Sequence, residues 1–96
     1  MKDLKFHSDT HLWDEFEYTF LQVHPDYFES LGKRFPELTA NERRLSAFLR
    51  LNLSTKEISN ITHQSLHSLT VARTRLRKKL GIAHSGENLA SFLSQF

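Results

Sequence analysis

Apolar residues in this chain recur at intervals of three and four, and nowhere do they alternate as a half-buried strand requires. Residues 1–9 carry Lys2, Asp3, Lys5 and Asp9 with little apolar periodicity, which predicts a frayed lead-in. From Thr10 the pattern changes: Trp13, Phe16, Phe20 and Val23 share a face, and Asp14, Glu15 and Glu17 sit near the start, where acids suit the helix dipole. A first helix is expected to end near Val23. Pro25 cannot continue it but fits the first position of a second helix, with Tyr27, Phe28 and Leu31 as its apolar face and Gly32 closing that helix or the turn following it. Phe35-Pro36-Glu37-Leu38 reads as a linker.

Two capping boxes follow. Thr39-Ala40-Asn41-Glu42 opens a helix buried through Leu45, Phe48 and Leu49 and ending near Leu51, with Asn52 in the left-handed conformation. Ser54-Thr55-Lys56-Glu57 opens a short helix carrying Ile58 and Ile61, which must stop near Thr62 or His63. A tight turn then leads to Ser65, the cap of a helix that Gly81 terminates. On this helix Leu69, Ala72, Leu76 and Leu80 form one stripe, while His67, Val71, Thr74, Arg75 and Lys78 fall opposite. The last segment, Glu87 to Phe96, repeats Leu89, Phe92, Leu93 and Phe96 at helical spacing. The expected fold class is therefore all-α, with residues 1–38 as an acidic helical extension and residues 39–96 as a helix-turn-helix domain.

Charge sharpens this division. Residues 1–38 hold four Lys/Arg against eight Asp/Glu, a net −4, whereas residues 39–96 hold nine against three, a net +6. Five of the cations lie between Arg73 and Lys79 with no acid among them, which suits a phosphate-rich partner. With 96 residues there is room for one small core, but not for a separate sensor and effector. No apolar run approaches the ~20 residues a membrane helix needs, and nothing resembles a secretory signal, so a cytoplasmic protein is expected. The absence of cysteine excludes disulfides and thiolate metal sites. His7/His11 and His63/His67 are spaced by four, yet no acid or cysteine cluster completes a metal site, so no cofactor is expected. The chain also lacks a glycine-rich phosphate loop and a local Ser-His-Asp arrangement, which argues against an enzyme.

Residues 38–82 resemble the LuxR/GerE-type helix-turn-helix, an effector domain of bacterial transcription regulators. The resemblance rests on Leu38-Thr39, Glu42, Lys56-Glu57-Ile58, Ser65, Ser68-Leu69, Leu76 and Lys79-Leu80-Gly81-Ile82, in register without a gap. The run from Ala72 to Leu80, with Trp13, Phe16, Phe20 and His24-Pro25 upstream, is similar to the branch attached to large sensor proteins in Bacteroidetes-type bacteria. The chain departs from the family pattern at Asn52, Ser59, Thr62, Gln64 and Thr70, and Thr62 and Gln64 are expected to weaken the apolar packing of the turn.

The resemblance implies a four-helix, winged-helix-like core behind one or two N-terminal helices. Its third core helix would enter the major groove and its fourth would pair two subunits. By position, Thr70, Val71 and Thr74 would face bases; His67 and Arg75 join them on the same side of the helix. Lys56, Ser68, Arg73, Arg77, Lys78 and Lys79 are the expected phosphate contacts, although Arg73 paired with an acid such as Glu57 is an equal alternative. Leu89, Phe92, Leu93 and Phe96 would close the core, supply a dimer interface, or divide between the two. The expected partners are double-stranded DNA, a second copy of the chain on that DNA, and RNA polymerase. The alternative function is a helix-turn-helix kept as a protein-interaction module, which an exposed aromatic patch on the last helix would favour.

Overall fold

Thr39 and Ser54 open their helices by the same device. Each hydroxyl accepts the backbone N–H three residues on, at 3.1 Å, and the glutamate there accepts the cap residue's own N–H, Glu42 at 2.8 Å and Glu57 at 2.7 Å. The computed structural model describes the backbone of residues 2–96 and the side chains of residues 13–96. Its elements are α1 (Lys2–Val23), α2 (Tyr27–Arg34), α3 (Ala40–Arg50), α4 (Thr55–Thr62), α5 (Leu66–Lys79) and α6 (Leu89–Leu93). The chain is all-α. No strand occurs among the described residues, so the winged-helix-like expectation has no wing.

Several boundaries differ from those the sequence predicts. Helix α1 starts at Lys2 instead of Thr10. The segment Lys2–Asp9 contains neither proline nor glycine, so nothing in it stops a helix nucleated on the apolar residues from propagating backwards. Val23 is 68% exposed, because it lies at the edge of the stripe; the His24 ring packs beyond Phe20 instead, with centroids 5.1 Å apart. Pro25 remains in the turn, and Asp26 takes the cap position of α2. Gly32 lies inside α2, where burial of its neighbour Leu31 offsets a propensity cost of about 1 kcal/mol. Helix α6 is limited to five residues. Asn88 caps its start, and its last carbonyls accept the Ser94 hydroxyl and the Gln95 amide at 2.6 and 2.9 Å, which ends the helix before Phe96.

Helix α3 is the centre of the packing, lying against both α5 and α6, while α4 lies against α5. Leu45, Phe48 and Leu49 of α3, Leu69 and Leu76 of α5, and Leu89 and Leu93 of α6 belong to one buried cluster. The acidic extension enters the same cluster through Phe20, Tyr27 and Leu31. Phe16 stacks on Phe48 with centroids 4.4 Å apart, and the Trp13 ring meets Phe48 edge-on at 5.8 Å. Buried Tyr27 donates its hydroxyl to Ser46 Oγ at 3.0 Å, and Ser46 donates to the Arg43 carbonyl at 2.6 Å. Residues 13–38 thus brace the basic half from behind.

Candidate nucleic-acid interface

Helix α5 is held by polar contacts at its start and by leucines along one side. Ser65 Oγ accepts the Ser68 N–H at 3.0 Å, capping the first turn. The turn before it is tight because His63 adopts a left-handed conformation with φ of 64°. At Thr62 and Gln64, where the sequence predicts weaker apolar packing, the turn is tied by polar contacts. Ser59 Oγ donates to the Gln64 carbonyl at 2.6 Å, and Thr62 Oγ1 donates to the Ile58 carbonyl at 2.8 Å, so hydrogen bonds replace the apolar contacts. Leu69, Leu76 and Leu80 are 1%, 0% and 4% exposed, which fixes the rotation of the helix about its axis.

That rotation turns His67, Val71, Thr74, Arg75 and Lys78 to solvent, the side expected from the helical period, and Thr70 with them. Arg75 and Lys78 make no hydrogen bond or ion pair with other described residues. Lys56, exposed in the first turn of α4, is likewise unengaged among them. Thr70 and Thr74 donate their hydroxyls back along the helix, to the Leu66 carbonyl at 2.9 Å and the Thr70 carbonyl at 3.1 Å.

The other expected phosphate contacts are used within the fold. Half-buried Arg73 donates to Thr55 Oγ1 at 3.0 Å, tying α5 to the start of α4; Glu57, its anticipated acid, is occupied in the capping box. Arg77 spans the loop after α5, with Nη1 at 2.7 Å from the Glu87 carbonyl and Nη2 at 2.9 Å from the Ile82 carbonyl. Lys79 pairs with Glu42 at 2.9 Å. Ser68 remains exposed, but its Oγ accepts the Ser65 hydroxyl at 2.9 Å. Arg43, singled out by nothing in the sequence, donates to the Leu38 carbonyl at 2.7 Å and fixes the linker entering α3.

Of the two roles open to the last apolar stripe, Leu89, Phe92 and Leu93 take the core-closing one within the single chain. Leu89, Phe92 and Leu93 are 4%, 8% and 0% exposed, because this face packs on α3. Half-buried Phe96 packs on Phe92 and Phe35, with centroids 5.9 and 6.0 Å away, under the Arg34 guanidinium. His63 and His67 lie exposed at the end of α4 and the start of α5, and no group of three or more potential metal ligands occurs among the described residues. The side chains of His7 and His11 lie outside the described residues. No helix among the described residues is long and apolar enough to cross a membrane. No protein-family model, no curated protein and no solved structure matches this chain.

Proposed function

We propose that the chain is a sequence-specific DNA-binding domain of a bacterial transcription regulator, of the LuxR/GerE type, with α5 in the major groove. The observation that carries this function is the solvent face of α5. It presents Arg75 and Lys78, unengaged among the described residues, beside the small side chains of Thr70, Val71 and Thr74, on a helix without an acid. Short hydroxyl and methyl groups suit base edges, Arg75 suits guanine or a phosphate, and Lys56 and Lys78 suit the backbone on either side. Arg73, Arg77 and Lys79 support the unit from within.

One module of this size buries limited surface, so a two-fold dimer reading two half-sites on DNA is part of the proposal. Its seam excludes Leu89, Phe92 and Leu93, which are buried. Such a domain acts in the cytoplasm with the chromosome, where RNA polymerase is a further partner. It has no catalytic role. The interaction-module alternative asks for an exposed aromatic patch on the last helix, where Phe92 is buried and Phe96 half-buried.

The test is selection of binders from a randomised duplex library by the 96-residue chain at two salt concentrations. Enrichment of an inverted repeat is the expected result. A single short site would remove the dimer alone, and salt-sensitive binding without enrichment would overturn sequence-specific recognition. Absence of binding at low salt would overturn the DNA role.

A further inference from the structure

The two outward threonines of α5 have already spent their only polar hydrogens. Thr70 Oγ1 donates to the Leu66 carbonyl and Thr74 Oγ1 to the Thr70 carbonyl, at 2.9 and 3.1 Å. A hydroxyl has one hydrogen to give and two lone pairs to receive with. Bound this way, each threonine faces solvent as an acceptor plus a methyl group. Val71, 36% exposed beside Thr70, adds two methyls and no polar atom. While these bonds hold, none of Thr70, Val71 and Thr74 donates a hydrogen bond outward.

That restriction selects among base pairs. In the major groove guanine presents acceptors only, N7 and O6, whereas adenine N6 and cytosine N4 carry donors. Acceptor-only threonines meet the donors and are mismatched to guanine. Adenine and cytosine differ in their partners: thymine carries a 5-methyl group beside the adenine donor, and guanine opposite cytosine offers further acceptors. The methyls of Thr70, Val71 and Thr74 favour the thymine. Along the helix axis Thr70 and Thr74 are separated by about 6 Å, close to two base-pair steps. Arg75, one residue beyond Thr74, brings the outward donors this patch lacks.

Building on the DNA-binding function proposed above, we infer that Thr70, Val71 and Thr74 read A·T pairs within a stretch of about two base-pair steps and that Arg75 reads a guanine flanking them. This assigns each position a base by hydrogen-bond polarity, and it makes the thymine methyl groups part of the recognised ligand.

The experiment takes the site enriched by the 96-residue chain and replaces thymine by uracil, one position at a time, at constant salt. Removing a contacted methyl is expected to weaken binding about three- to fivefold. The Val71→Ala variant should bind the thymine site more weakly and lose most of the distinction from uracil, while Arg75→Ala should relax selection at the guanine alone. An enriched site with G·C pairs at every position sensitive to Val71→Ala would overturn the inference and leave DNA binding intact. Equal affinity for thymine and uracil sites would do the same. If no duplex sequence is enriched, the underlying function falls, and the inference with it.

Discussion

Lys79 Nζ lies 2.9 Å from Glu42 Oε1, an ion pair between residues 37 apart in sequence that joins the end of α5 to the start of α3. The same oxygen accepts the Thr39 backbone N–H, so one carboxylate caps α3 and anchors α5. Burial pushes the Glu42 carboxyl upward, but the Lys79 ammonium and the Thr39 hydrogen bonds outweigh it and hold the group below its ordinary value. A carboxylate with a lowered folded value stabilises the native state above its unfolded pKa. That contribution is lost as pH falls from about 4.5 through the folded value.

Replacement of Glu42 by Gln is therefore expected to lower stability at neutral pH and to flatten its dependence on pH in the acid range. The cap accounts for about 1 kcal/mol, and the partly exposed pair for roughly 0.5 kcal/mol or less after solvent screening. Urea unfolding of both proteins between pH 3 and pH 7 measures the difference. Parallel curves would mean that Glu42 is not the titrating group.

Neighbouring cations on α5 should separate into two classes. Arg77 donates to two loop carbonyls, of which the Ile82 carbonyl is partly buried, so Arg77→Ala should cost about 1 to 2 kcal/mol in thermal or urea unfolding. Lys78→Ala touches no described contact and should alter stability by less than about 0.5 kcal/mol. Its effect should appear on DNA instead, as weaker binding to every sequence and a salt slope smaller by about one. Equal stability losses in the two variants would contradict the assignment.

The contrast between these residues marks how far the sequence can be read. The caps at Thr39, Ser54 and Ser65, the stop at Gly81 and the outward side of α5 are local consequences of spacing and backbone preference, and all are visible in the chain. Which cations on that helix remain available depends on where distant backbone lies. Arg77 reaches the Glu87 carbonyl through a loop, and Lys79 reaches a carboxylate on another helix; neither relation has a period or motif. The face was legible, but its free charges were not. The last helix presents the same problem, since an apolar stripe has one pattern whether it closes a core or meets a partner.

Tyr27 gives an alkaline counterpart to Glu42. Its ring is 1% exposed, and burial pushes the phenol up to about 12 against the smaller opposing effects of the Ser46 hydrogen bond and the Arg50 charge. A raised folded value means that its stabilisation is complete below pH 10 and is lost as pH rises toward 12, to the extent of roughly 2 to 3 kcal/mol. Tyr27→Phe should remove this alkaline loss. At neutral pH it should cost only about 0.5 to 1.5 kcal/mol, because Ser46 keeps its bond to the Arg43 carbonyl. Unfolding monitored by circular dichroism from pH 8 to pH 12 tests both expectations.

Phe92 decides whether the last helix belongs to the core or to a subunit contact. It is 8% exposed and lies within ring-contact distance of Phe35 and Phe96, so truncation leaves a cavity inside a single chain. Phe92→Ala is expected to destabilise by about 3 to 5 kcal/mol without altering the molecular mass of whatever fraction stays folded. Since that loss is comparable to the total stability of a small domain, the milder Phe92→Leu provides the second measurement. It should lower the unfolding midpoint at every protein concentration by the same amount. A contact between subunits would behave differently: the midpoint of the parent protein would rise with concentration, and Phe92→Leu would abolish that rise. Sedimentation of both proteins, free and on the selected duplex, separates these outcomes and locates any dimer seam away from α6.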